Sequence, residues 1–141
     1  MRLPLDPPTP SLDTYVREDI YYTHMSPHDK PLVWLRGKVL SPPFSPEARI
    51  TAGFLLRRLQ QGESIGMPHS RPMPSLGRGC HELRIRDRGK EWRILYRVDG
   101  DAIIVVEVFQ KKAQRTPQPI LDEAKRRLRD YVLASGERPN R

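Results

Sequence analysis

Between residues 81 and 117 the chain reads HELRIRDRGKEWRILYRVDGDAIIVVEVFQKKAQRTP, three short runs with strand character separated by two turn signals. Leu83 and Ile85 alternate with Arg84 and Arg86. In the next run Trp92, Ile94, Tyr96 and Val98 fall on one face, with Arg93, Leu95 and Arg97 on the other. Residues 102–109 are almost continuously apolar, the pattern of a central strand covered on both sides. Asp99-Gly100 predicts a two-residue hairpin whose turn residues both take positive φ. Asp87-Arg88-Gly89-Lys90 predicts a longer, charged connection. The result is an antiparallel meander studded with Arg84, Arg86, Arg93, Arg97, Lys111 and Lys112, cations suited to phosphate.

Upstream, Pro31-Leu32-Val33-Trp34-Leu35 is a short apolar strand. Ser45-Pro46-Glu47 then carries the marks of a helix start: a capping serine, proline at the first helical position and an acid in the first turn. Ala48, Ala52, Leu55 and Leu59 form its buried stripe, and Gly62 ends it in the left-handed conformation. Residues 63–79 hold Pro68, Pro72, Pro74, Gly66, Gly77 and Gly79 and read as a long loop. A last helix follows Thr116 as its cap, with Leu121, Ala124, Leu128 and Tyr131 as its apolar stripe and Lys125, Arg126, Arg127 and Arg129 as a basic face. The predicted order is strand, helix, three antiparallel strands, helix, an α+β arrangement with no internal repeat.

At 141 residues, this is length for one domain. Residues 1–29 are dense in proline and read as an irregular arm in which Tyr15, Val16, Ile20, Tyr21 and Tyr22 could dock on the body or on a partner. Residues 30–134 form the domain, and 135–141 a disordered tail. The net charge of +8 and pI near 10.1 point to a polyanionic partner. That charge belongs to the domain, because residues 1–29 carry two basic and five acidic side chains. Cys80 is the lone cysteine, which excludes an intrachain disulfide and suits a reducing compartment. No apolar run approaches the ~20 residues of a membrane span, and no secretory signal is visible, so the expected location is cytoplasmic.

His24, His28, His69 and His81 lack metal-ligand spacing, and no phosphate-cradling glycine loop follows a strand, so neither metal nor cofactor is expected. Cys80 and His81 are neighbours on a strand and point to opposite faces, which argues against a nucleophile pair. RNA, however, can be cut through its own ribose 2′-OH. The protein must then remove the 2′ proton, neutralise charge on the phosphoryl oxygens and protonate the departing 5′ oxygen. Arginine suits the second task, and a lysine crowded by other cations suits proton transfer. A solvated outer face is the ordinary alternative for such alternating arginines.

The order of several segments adds a resemblance. Lys30-Pro31-Leu32-Val33-Trp34-Leu35, Arg57-Arg58-Leu59-Gln60-Gln61-Gly62, Met73-Pro74-Ser75-Leu76-Gly77, Glu82-Leu83-Arg84-Ile85-Arg86, Arg93-Ile94-Leu95-Tyr96, Phe109-Gln110-Lys111-Lys112 and Thr116-Pro117 together resemble the phage-derived branch of the RelE superfamily, close to HigB-type toxins of type II toxin–antitoxin systems. The resemblance implies a compact RelE-like α+β domain, a mainly antiparallel twisted sheet packed by an N-terminal-half helix and a C-terminal helix. It implies a metal-independent endonuclease acting on mRNA on the ribosome and neutralised by a helix-turn-helix antitoxin. It also implies catalytic roles for Arg84, Arg93, Tyr96, Lys111 and Lys112. Arg57, Arg58, Arg86 and Arg97 are expected to hold RNA. On this reading Arg93→Ala leaves a folded, non-toxic protein. Ala113 and Arg115 depart from the family pattern. A ParE-like gyrase inhibitor or a non-catalytic phage RNA-binding protein would suit the same fold.

Overall fold

The tight turn of the molecule is the charged one. In the computed structural model, which describes residues 28–41 and 43–136, Arg88 and Gly89 take φ of 49° and 81°. Asp87 pairs directly with Lys90 across them. This is the two-residue hairpin that the sequence predicts at Asp99-Gly100. There, by contrast, the connection runs over four residues, closed by the Asp99 N–H donating to the Ala102 carbonyl at 2.9 Å, and Gly100 is not in the left-handed region. The reason is side-chain chemistry: Arg97 holds the Asp99 carboxylate at 2.6 and 2.8 Å, and Lys30 Nζ donates to its carbonyl at 2.8 Å.

In chain order the elements are β1 (Leu32–Trp34), α1 (Pro46–Gln60), β2 (Ser70–Pro72), β3 (Cys80–Asp87), β4 (Lys90–Val98), β5 (Ile103–Lys111) and α2 (Gln118–Ala134). The sheet order is β1-β5-β4-β3-β2, antiparallel except for the parallel β1–β5 pair. A mixed α+β domain with a five-stranded sheet and two helices results, as the RelE-like expectation requires. β2 corrects the reading of 63–79 as loop alone. Its three residues, ended by Pro72, are too few to leave a periodic signal.

The start of α1 follows its sequence. Ser45 Oγ accepts from the Ala48 N–H at 3.1 Å, and Pro46 opens the helix. At its other end Gly62, at φ 88°, lets the Gly62 and Glu63 N–H groups donate to Leu59 and Arg58, closing a Schellman motif. Ala48, Ala52, Leu55 and Leu59 are buried against Leu83, Ile85, Ile94 and Tyr96 on one face of the sheet. On the other face α2 buries Leu121, Ala124 and Leu128 against Leu95, Ile104 and Val106. Thr116 does not cap α2; Pro117 occupies that position without a side-chain bond. β5, the strand expected to be covered on both sides, lies inside the sheet between β1 and β4, with Ile103, Ile104, Val105 and Val106 fully buried.

Two expectations about the sheet faces need correction. Val98 is exposed rather than part of the core face, and the face assigned to Arg93, Leu95 and Arg97 is buried at all three residues, because α2 and paired acids cover it. The arm reading for 1–27 and the tail reading for 137–141 lie outside the described residues. Ser135 and Gly136 cap α2 through their N–H groups, which donate to Tyr131 and Leu133. No described helix is long and apolar enough to cross a membrane.

Buried Asp87 ties the turn to the start of α1: its Oδ2 accepts from the Ser45 N–H and from Trp92 Nε1, each at 2.9 Å. Burial raises the Asp87 carboxyl, but the Ser45 and Trp92 hydrogen bonds and the Lys90 charge outweigh it and hold the group below the ordinary aspartate range. Its stabilisation is therefore complete above that range and disappears as pH falls through the lowered value. Asp87→Ala strands two donors and should cost about 3 kcal/mol in urea unfolding at neutral pH. The gap to the parent should close below the aspartate range.

Candidate functional site

Strand register decides which charges meet. Residues directly opposite one another in an antiparallel pair share a face. Arg71 faces Glu82, Glu82 faces Leu95, Arg84 faces Arg93, and Arg86 faces Glu91. All therefore lie on the α2 side of the sheet. Strict alternation along β5 would continue the Ile104 and Val106 face through Val108 and Gln110. A register shift between Leu95 and Tyr96 intervenes, so that Leu95 faces Glu107, Arg93 faces Phe109 and Glu91 faces Lys111. The bulge thereby turns Lys111 onto the face that carries the arginines.

α2 covers only the end of this face around Leu95, Ile104 and Val106. The other end carries Arg71, Arg84, Arg86, Arg93 and Lys111 against Glu82 and Glu91, an excess of three positive charges. Glu82 is wholly buried, with Oε1 at 3.1 Å from Arg71 Nε and 3.3 Å from Arg93 Nε. Its Oε2 accepts from Thr116 Oγ1 at 3.3 Å, which is where the side chain expected to cap α2 has gone. Arg93 is also buried and donates to Glu91 Oε2 at 2.9 Å. The Arg93 hydrogen bond, opposed by burial and supported by the charges of Arg93, Arg86 and Arg84, keeps the Glu91 carboxyl below its ordinary range.

Arg84 and Lys111 are half-buried, and neither makes a direct ion pair among the described residues. Burial pushes Lys111 below the ordinary lysine range. Glu82 opposes that shift, while Arg93, Arg71 and Arg84 add to it. Arg86 is almost fully exposed, 3.4 Å from Glu91.

The structure thus brings together four of the sequence-predicted residues, Arg84, Arg86, Arg93 and Lys111. Lys112 is exposed just beyond the end of β5. Tyr96 lies on the opposite, α1 face, almost fully buried, with its hydroxyl 2.7 Å from Ser70 Oγ and its ring stacked on His81. Burial raises its phenol, which the Ser70 bond only partly offsets. RNA cannot reach a ring so enclosed, so the catalytic role expected of Tyr96 is corrected to a packing one. Arg97 is likewise buried, held by Asp99 and lying over the Tyr131 ring at 5.9 Å, which corrects its RNA-binding assignment. Arg57 pairs with Asp29 at 2.6 Å, and Arg58 with Glu63 at 3.4 Å. Both sit on the last turn of α1, at the end of the sheet away from Lys111. Arg93 itself is corrected from an open phosphate ligand to a buried cation braced by two acids. Cys80 is buried, its thiol pushed up to about 11 by burial, as befits a packing residue.

Sequence reasoning missed Glu82 and Arg71 as site members. Glu82 shares parity with Arg84 and Arg86, and an acid on an otherwise cationic strand face was the available signal. Arg71 lies in the proline-rich stretch and gave none.

Phage derived protein Gp49-like (DUF891) is the family that matches residues 43–129. The chain belongs to this Gp49-like family. It is a RelE-like family of toxin–antitoxin systems. The Gp49-like segment contains α1, β2 to β5 and most of α2, and hence every charged residue of the cluster. Searches of curated proteins and of solved structures found no match.

Removing one partner of a buried ion pair leaves the other uncompensated, so Glu82→Gln should destabilise the protein by about 3 kcal/mol in urea unfolding. Adding Arg93→Met should restore part of that loss. Strict additivity of the two substitutions would show that the pair is not coupled.

Proposed function

We propose that this Gp49-like protein is the toxin of a type II toxin–antitoxin system and acts as a ribosome-dependent mRNA endonuclease of HigB type, neutralised by a helix-turn-helix antitoxin. The observation that carries the reading is the excess of three positive charges on the open end of one sheet face, within the family-matched segment. Among the described residues, two of those cations, Arg84 and Lys111, make no direct ion pair, and a phosphate supplies the partner charge.

In this reading Arg84, with Arg71 and Arg86 beside it, holds the scissile phosphate and neutralises charge on its oxygens. Arg93 is a positioning residue. Glu82 and Glu91 fix its guanidinium beneath Arg84, where it adds a steady positive field without needing to touch RNA. Lys111 is the proton-transfer group. Its lowered pKa gives it a larger share of neutral amine than an ordinary lysine, so it can take the 2′ proton. The 2′ oxygen then bonds to phosphorus, the bond from phosphorus to the 5′ oxygen breaks, and the departing oxygen takes up a proton. The products are a 2′,3′-cyclic phosphate and a 5′-hydroxyl end.

Mapping RNA 5′ ends after induction without the antitoxin tests this directly. New 5′-hydroxyl ends inside translated codons are expected. DNA damage without such cuts would point instead to a gyrase poison. Lys111→Arg keeps the charge but holds its proton. It should retain RNA binding within about twofold while losing about 100-fold or more in cleavage. Arg84→Ala should relieve growth arrest in a folded protein, and is the cleaner probe than Arg93→Ala, which also removes a buried partner of Glu82.

A further inference from the structure

Beside the cation cluster lies a cavity of about 550 Å³ that no step above uses. It exists because β2 is short: paired to β3 only through Ser70, Arg71 and Pro72, it leaves β3 uncovered from Ile85 onward. The cavity wraps this free edge. Thr51 of α1 borders it on one side of the sheet, Arg84, Arg86 and Glu91 on the other, with Pro68 and His69 leading into β2. The volume suits a small organic ligand such as a single nucleotide. Arginine forks, an imidazole, a proline face and one carboxylate are the groups by which an unstacked nucleotide is held and read.

Glu91 is the informative member. Its Oε2 accepts from Arg93, and its Oε1 lies 3.4 Å from the highly exposed Arg86. A carboxylate has about four lone-pair sites, so capacity to accept remains. An ionised carboxylate accepts hydrogen bonds and donates none. It therefore suits adenine, cytosine and guanine, which carry an exocyclic amino group. Uracil is the poorer match: where cytosine has its amino group uracil has a carbonyl oxygen, and its single N3–H donor is flanked by two such oxygens that repel the carboxylate.

We propose that this cavity is a nucleobase subsite that takes the base next to the phosphate held by Arg84 and favours bases with an exocyclic amino group over uracil through Glu91. The inference rests on the RNA reading above, and names a specificity residue, Glu91, separate from the proton-transfer chemistry. Its scope is base preference at one position.

Binding of 2′-O-methyl pentanucleotides, which cannot be cleaved, tests the subsite apart from catalysis. Oligocytidine and oligouridine are the informative pair, since they share ring size and differ at the amino and carbonyl edge. Fluorescence anisotropy should show oligocytidine bound about five- to tenfold more tightly. Glu91→Gln, whose amide can donate as well as accept, should bring the two within about twofold. Thr51→Trp fills the cavity from the α1 side and leaves the charged residues of the cluster unsubstituted. It should abolish the preference while circular dichroism reports an intact fold. Equal binding of the two oligonucleotides by the parent, or a preference that survives both substitutions, overturns the subsite. If the preference is found but induced cells show no cut mRNA, the subsite stands and the nuclease reading falls. If cuts appear without any base preference at the site, the reverse holds.

Discussion

A carboxylate with no access to solvent organises this protein. Glu82 sits in the middle of the sheet's charged end and would be costly to bury alone. It is tolerated because Arg71, Arg93 and Thr116 surround it, from β2, β4 and the loop before α2. One side chain thus joins three separate parts of the chain. The same contacts fix Arg93 and Arg71, whose charges, with that of Arg84, act on Lys111. Without Glu82, like charges on adjacent strands would repel. With it, they can be packed to an excess of three and still fold.

The second constraint is phase. A single extra residue in β5, at the shift between Leu95 and Tyr96 in the register with β4, decides that Lys111 joins the arginines. It also places Glu107 where Arg127 of α2 reaches it at 2.6 Å and Phe109 where it packs beneath that helix. One backbone irregularity therefore sets both the docking of α2 and the composition of the open end. Sheet edges supply the rest: the brevity of β2 leaves β3 uncovered where Arg84 and Arg86 stand.

What could be read from the sequence was what local rules control. Ser45, Pro46 and Gly62 mark α1 because caps depend on a few adjacent residues, and the apolar stripes of both helices follow from period alone. The interior position of β5 follows from its nearly unbroken apolar run. The turns were exchanged because Asp99 answers to Arg97 and Lys30, partners that turn propensity does not consider. Arg93 and Arg97 looked solvated because alternation shows which side a residue faces and not what covers that side. Glu82 and Arg71 depend on pairing between β2 and β3, which no local pattern announces.

On the proposed function, nucleic-acid phosphates meet this protein at the Arg84 and Lys111 end of the sheet, and not at the end where Arg58 sits. The salt dependence of single-stranded RNA binding measures this most directly, because each phosphate contact contributes about 0.7 to the slope of log K against log salt. Arg84→Ala should lower that slope by about 0.7 while Arg58→Ala leaves it unchanged. An unchanged slope for Arg84→Ala with a reduced one for Arg58→Ala would place the phosphates at the opposite end and overturn the proposed RNA site.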